Sequence, residues 1–493
     1  MEEQLSRANA YIAQHSAQIN PRFRQSYHLM PPVGWMNDPN GFIYYEGYYH
    51  LFYQFYPYDS VWGPMHWGHA RSKDLTHWED LPVALAPSEA YDQSGCFSGS
   101  ALVIDGQLVL MYTGHVDQQG QVTQTQCLAV SDDGINFRKY EGNPVIAHKH
   151  IEGVADIADF RDPKILQHNG RYYSVIASKT VDHRGQILLF ESANGFDWDF
   201  KSVLLEGQAG HGVMWECPDL FPLDGKWVLI MSPIERERAG NAYWNLNSTV
   251  AYIGQMDWES GQFQVENQHE IDGGLDFYAP QTCVNSDQER IMVAWMQMWQ
   301  RNIPSHELGD GWAGAMSLPR QVRVLDNRLC QSIPSSVLAQ FSEGKTWQGQ
   351  LEPGQEFYLS DWVKSQQVLK LNLEAVPGAV FQLHYGGKPD HPEGLSITWQ
   401  ADQALLTVKR DGVGHQIIGK EEPYLDSRLL DIWSDTPYRL ELEIVRDTSS
   451  IEVFVNKKQV MSFTFYAEGL GTGIGLVSSQ LVKVENLTNY SLI

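Results

Sequence analysis

One segment recurs along the first two thirds of the chain and limits the folds open to it. It is a turn residue followed by a run of aliphatic and aromatic residues ending in a small or polar one. The copies are Gly47-Tyr-Tyr-His-Leu-Phe-Tyr-Gln54, Gly106-Gln-Leu-Val-Leu-Met-Tyr-Thr113, Gly170-Arg-Tyr-Tyr-Ser-Val-Ile-Ala177, Gly225-Lys-Trp-Val-Leu-Ile-Met-Ser232 and Glu289-Arg-Ile-Met-Val-Ala-Trp-Met296. They start 59, 64, 55 and 64 residues apart. A second element follows the first three: Ser72-Lys-Asp-Leu-Thr-His-Trp78, Ser131-Asp-Asp-Gly-Ile-Asn-Phe137 and Ser192-Ala-Asn-Gly-Phe-Asp-Trp198. Each reads as a strand end, a turn, and an aromatic that opens the next strand. Helical periodicity is nearly absent between Tyr27 and Pro334. Two elements sharing one period, in five copies of several antiparallel strands each, predict a five-bladed β-propeller rather than an evenly spaced sandwich.

The repeat stops near Pro334. Residues 336–355 are polar and Gly-containing and read as a linker. Beyond them Val368–Leu373, Leu405–Lys409, Tyr438–Ile444 and Ile451–Val455 alternate apolar and polar residues, which predicts a β-sandwich. The expected order is an N-terminal helical extension at 1–26, a propeller at 27–335, the linker, and a sandwich at 356–493. Gly469-Leu-Gly-Thr-Gly-Ile-Gly475 lacks the βαβ context of a nucleotide loop and reads as a strand entry.

Composition narrows the function. The 493 residues carry 35 Lys+Arg against 60 Asp+Glu, a formal charge of −25. This argues against nucleic acid and anionic membrane surfaces as partners. No window approaches about 18 uninterrupted apolar residues. The five cysteines are scattered and form no Cys-x-x-Cys pair. With no apolar leader at the N-terminus, a reducing cytoplasm is the expected compartment. His66, His69, His148 and His150 lack ligand spacing, so neither a metal nor another cofactor is expected.

A slot lies eight or nine residues before each aliphatic run. It holds Asp38, Ser98, Asp162 and Glu216 in the first four copies, with Phe277-Tyr-Ala-Pro280 in the fifth. In a propeller these slots face one cavity across the axis. Isolated carboxylates avoid burial, and three converging ones repel, which raises at least one pKa. A raised and an unraised carboxylate together form the acid and nucleophile pair of a glycoside hydrolase. A single Asp-Pro would be read as a turn; three matched slots favour chemistry.

The surroundings of the slots carry a resemblance. Trp35-Met-Asn-Asp-Pro-Asn-Gly41, Phe160-Arg-Asp-Pro-Lys164 and Trp215-Glu-Cys-Pro-Asp219 resemble the signature motifs of glycoside hydrolase family 32, the β-fructofuranosidases. Phe52-Tyr-Gln54, Trp67-Gly-His69, Phe97-Ser-Gly99, Asp276–Gln281, Ala294-Trp-Met296, Trp312-Ala-Gly314 and Ser450–Asn456 extend it over most of the chain. The resemblance implies the same propeller and sandwich, no metal, and retaining hydrolysis of fructosides such as sucrose, sucrose 6-phosphate or short fructo-oligosaccharides. It implies Asp38 as nucleophile, Glu216 as acid/base and Asp162 as the holder of ring hydroxyls. Arg161 is expected to keep Asp162 ionised and to bind substrate by donating to a hydroxyl. Asn37, Gln54, Trp62, Ser98, Tyr278, Trp295 and Trp312 are expected to wall the pocket, with Cys217 as a small wall residue. A fructosyltransferase, an inverting five-bladed glycosidase and an inactive sugar-binding protein are the rival readings. Glu235-Arg-Glu-Arg238 and Trp299-Gln-Arg-Asn302 read as surface loops that could also meet a phosphate.

Overall fold

A computed structural model describes residues 1–180, 182–387, 394–410, 412–421, 425–434 and 436–493. The chain is all-β: a five-bladed propeller followed by a sandwich of two six-stranded sheets. The inner strands of the blades are Gly34–Tyr45, Gly95–Ile104, Phe160–His168, Met214–Leu223 and Tyr278–Val284. Each packs against its neighbours around the axis, the fifth against the first. The five repeated runs are the second strands, each antiparallel to its inner strand.

The turn between these two strands explains the repeat. Glu46-Gly47, Asp105-Gly106, Asn169-Gly170 and Asp224-Gly225 all have positive φ at both residues. Such two-residue turns match the twist of a hairpin, and glycine enters the required region without steric cost. The fifth copy has no glycine there. Asn285 Oδ1 instead accepts from the Asp287 and Glu289 backbone N–H groups. The second sequence element is a side-chain turn. Asp74, Asp133 and Asn194 each accept two backbone N–H bonds through Oδ1.

Two devices finish the ring. Trp312–Ala313 pairs in parallel with Gly34–Trp35, so a segment from the fifth blade is stitched to the first. The helix Glu2–His15 lies along the outer strand of blade one, Trp78–Leu85, where Asn9 Oδ1 accepts from Val83 N at 3.0 Å. Covering an edge strand in this way removes a template for unwanted pairing. Among the described residues no helix is long and apolar enough to cross a membrane.

The stretch expected as a linker is not one. Phe341–Leu351 is an eleven-residue edge strand paired with Val482–Leu492. Most of its residues are exposed, so it carries no apolar alternation for a sequence reading to find. The inner strands of the sandwich do alternate, as in Gln367–Ala375 and Val380–Tyr385.

The seam between the two domains is partly apolar, where Val368, Val445, Phe454 and Val460 meet Ile291, Leu318 and Ile333. It is also ionic. Buried Arg320 reaches Asp272 at 2.9 Å within the propeller and Glu452 at 2.6 Å across the seam. Arg301 pairs with Asp276 and Glu421, and Arg410 with Asp276. Arg301, a candidate phosphate contact, is therefore buried in the seam rather than on a surface loop. Breaking one partner of such a set leaves an uncompensated buried charge, which costs about 3–5 kcal/mol.

His28 is held on both ring nitrogens, by Asp447 at 2.9 Å and Glu452 at 3.1 Å. Burial alone would lower its pKa, but the two carboxylates outweigh burial and raise it to about 9. A raised histidine contributes stability that is complete below its unfolded value of 6.5 and lost as pH rises through 9. The parent should therefore lose up to about 3 kcal/mol more than His28→Gln on going from pH 6 to pH 10. Urea unfolding of both proteins across that range measures the difference. Parallel pH curves would contradict the assignment.

Candidate active site

The register of the five inner strands places a bulge at one level in all of them. In blades three, four and five the last paired residues are Arg161, Glu216 and Tyr278. Asp162, Cys217 and Ala279 come next, at φ 62°, 48° and 54°, and a proline follows each. A residue before proline prefers extended backbone, so this left-handed conformation is strained. Asn37 and Asp38 bulge opposite Gln54 in blade one, and Ser98 in blade two. Gly99 stands where the other blades have proline. A Cβ there would lie 2.0 Å from Met111 O, so the backbones could not approach as they do. Bulges re-aim side chains. Here they turn Arg161 with Asp162, and Glu216 with Cys217, toward one another across the axis.

This register corrects the slot alignment. Glu216 shares its place with Arg161 and Tyr278, and Cys217 shares that of Asp162. The result is two layers. In the outer layer Arg161 Nε and Nη2 donate to Glu216 Oε1 at 3.0 and 2.9 Å, and Tyr278 OH donates to Oε2 at 2.6 Å. In the inner layer Ser98 Oγ donates to Asp38 Oδ2 at 2.7 Å. Cys217 N donates to Asp162 Oδ2 at 3.0 Å, and its Sγ lies 3.5 Å from Oδ2 of both Asp38 and Asp162. Asp38 Oδ1 is buried with no hydrogen-bond partner among the described residues.

Burial raises the pKa of Asp38, with a further push from the charge of Glu216 against the bond from Ser98. Burial and Glu216 raise Asp162 to about 7. Arg161 does favour the ionised form of Asp162, but burial and the charge of Glu216 outweigh it. The guanidinium spends its bonds on Glu216, Asp159 and Gln124, and its charge offsets only part of the burial cost. The Cys217 thiol is pushed well up by burial and by the three carboxylates, so it stays protonated and is no nucleophile.

The expected wall residues divide. Trp62 is 46% exposed and meets Phe97 edge-on. Asn37 is buried and accepts from Trp35 Nε1 at 2.7 Å. Gln54 is buried and donates to Cys96 O. Trp295 is buried against Trp35 and Trp299. Trp312 is a correction: its indole donates to Asn20 O and Arg24 covers its ring, so it backs the site and does not face it. The sequence reading missed Asp159 and His115. His115 stacks on Phe97 with ring centroids 4.0 Å apart. Neither lies in a repeated position, so no periodic signal marks them. Arg236, in the other candidate phosphate loop, lies over the Tyr243 ring and bonds Tyr252 OH.

The descriptions "Glycosyl hydrolases family 32 N-terminal domain" and "Glycosyl hydrolases family 32 C terminal" match residues 28–332 and 342–491. The chain belongs to glycoside hydrolase family 32, and it is a glycoside hydrolase. It is 43% identical to a sucrose-6-phosphate hydrolase of Zymomonas mobilis over 325 residues, spanning 63% of this chain and 62% of that protein. It is 36% identical to a sucrose-6-phosphate hydrolase of Escherichia coli over 97% of this chain and 96% of that one. Among solved structures, a GH32 β-fructofuranosidase of Bombyx mori superposes with a TM-score of 0.83 at 36% identity, covering 100% of this chain and 98% of that one.

The raised carboxyl of Asp162 has a consequence for stability. A carboxyl whose folded pKa lies above its unfolded value of 3.8 favours the fold at low pH and loses that contribution as pH rises through 7. Asp162→Asn should therefore gain thermal stability over the parent progressively between pH 4 and pH 8. A melting-temperature difference that stays constant over this range would contradict the burial argument.

Proposed function

We propose that the chain hydrolyses terminal non-reducing β-D-fructofuranosides with release of fructose and net retention. Its substrates are sucrose, sucrose 6-phosphate or short fructo-oligosaccharides. The observation that carries this reading is the meeting of three carboxyl groups: Ser98 and Cys217 hold one oxygen of Asp38, Cys217 also meets Asp162, and Arg161 and Tyr278 hold Glu216. A carboxylate held at one oxygen keeps the other for attack on an anomeric carbon. Asp38 Oδ1 attacks C2 of the fructosyl unit, while Glu216 protonates the departing oxygen. Glu216 then takes a proton from water, which attacks C2 and frees Asp38. Asp162 holds ring hydroxyls, and the positive charge that grows on the sugar favours its ionised form. Arg161 and Tyr278 hold Glu216; Asn37, Gln54 and Trp295 are the wall residues of this reading, and half-exposed Trp62, against Phe97, offers an aromatic face to a sugar. The relatives named for sucrose-6-phosphate hydrolysis support this substrate class.

Proton NMR of fresh sucrose digests tests the stereochemistry. The expected first product is β-fructofuranose. Release of the α anomer would make the enzyme inverting and remove Asp38 as nucleophile, and growth of fructosyl-sucrose in place of fructose would make it a transferase. Roles separate by mutation. Asp38→Ala should lose about a thousandfold or more on every substrate. Glu216→Ala should lose about 10²–10⁴-fold on sucrose but recover much of that on an aryl fructoside with a good leaving group, which needs little protonation. Equal recovery in both variants would reverse the assignment.

A further inference from the structure

A file of charged side chains leads outward from Glu216, away from the axis. Arg161 places both Nε and Nη2 on one oxygen of Glu216, Oε1. It cannot offer its fork to both oxygens, because Nη1 is turned the other way, to Asp159 Oδ1 at 3.0 Å and Gln124 Oε1 at 3.3 Å. Asp159 is ion-paired in turn with Lys179. The order Lys179, Asp159, Arg161, Glu216 alternates in sign. Asp159 ends the single turn Ile157–Asp159, which Asp156 caps by accepting from Ala158 N. Lys179 ends the second strand of blade three. Both are largely buried, and neither has a bond to Asp38, Asp162 or Glu216.

We propose that Asp159 and Lys179 are positioning residues that set how tightly Glu216 holds its proton, acting through Arg161. The inference rests on the reading of Glu216 as the acid/base. Asp159 binds half of the guanidinium and offsets part of its charge, so Glu216 feels a weakened cation. Lys179 in turn offsets Asp159. The remaining groups facing Glu216 are the carboxyl groups of Asp38 and Asp162 and the neutral Cys217 and Tyr278. His115, which also feels Arg161, is held at about 4 by burial and is neutral in the working range. With Oε1 occupied by two N–H groups, the transferable proton belongs on Oε2, where Tyr278 OH accepts from it and turns its own proton to Ser232 O at 3.3 Å.

Two substitutions of opposite charge test this. In Asp159→Asn, Arg161 and an unpaired Lys179 both raise the positive potential at Glu216. The alkaline limb of the kcat profile on sucrose should move down by about 0.5–1 pH unit. In Lys179→Gln the limb should move up by a smaller amount. Asp159→Glu should keep the limb of the parent, and KM should stay within about twofold in all three. On an aryl fructoside with a good leaving group the limb should fade in the parent and in the variants alike, because no proton is then needed. Limbs that shift in the same direction in Asp159→Asn and Lys179→Gln, or that do not shift while both proteins keep the melting temperature of the parent, would overturn the proposal. If the limb persists unchanged on the activated fructoside, Glu216 is not the acid. The underlying reading then fails first and takes this inference with it.

Discussion

The site depends on a strained residue repeated around a ring. Three blades each hold a left-handed residue directly before a proline, a conformation that neither side chain nor proline favours locally. Antiparallel pairing on both sides of the bulge keeps it in place. What the strain achieves is directional. A regular strand sends alternate residues to opposite faces, whereas the bulged strand sends neighbours to the same axis. Arg161 with Asp162, and Glu216 with Cys217, can therefore act together although they are adjacent in sequence. The two layers of the site follow from this.

The second constraint is the seam. Arg320, Arg301, Arg410 and His28 are all buried and all bonded to carboxylates, several of them across the domain boundary. Desolvating such groups is costly, and geometry repays the cost only when every partner is present. The sandwich is thus fixed in one orientation by directional bonds as well as by apolar area. Because Asp276 lies two residues before Tyr278, the seam also anchors the loop that brings Tyr278 to Glu216.

Much of this was legible in the sequence, for identifiable reasons. The blades announced themselves through turns whose backbone demands glycine, at Gly47, Gly106, Gly170 and Gly225, and through the Asx turns at Asp74, Asp133 and Asn194. The sandwich announced itself through alternation in its inner strands. The edge strand Phe341–Leu351 did not, because a strand exposed over most of its length has no reason to alternate. The three carboxylates stood out because their neighbours repeat. Their phase did not: counting back from the aliphatic runs cannot detect a bulge, so Glu216 was placed in the wrong layer. Trp312 carried the right residue type in the right motif, yet its ring serves the N-terminal segment. Arg161 was assigned to its sequence neighbour Asp162, although the bulge aims it at Glu216.

The N-terminal segment has an implication for how the protein is made. Residues 20–34 form a strap many of whose hydrogen-bond partners come late in the chain. Asn20 and Gly34 bond to the backbone of Asp310 and Gly311, and Arg22 pairs with Asp310. Ser26 and Tyr27 donate to Asp447, while Ser449 and Ser450 reach back to Phe23 and Gln25. A ribosome working from the first residue therefore exposes this strap hundreds of residues before anything exists to receive it. The early blades can pair internally as they emerge, but the strap can tie the ring to the sandwich only after Asp447–Ser450 has been made. Contacts of such long sequence separation form slowly. The strap is thus held in place by chain made long after it.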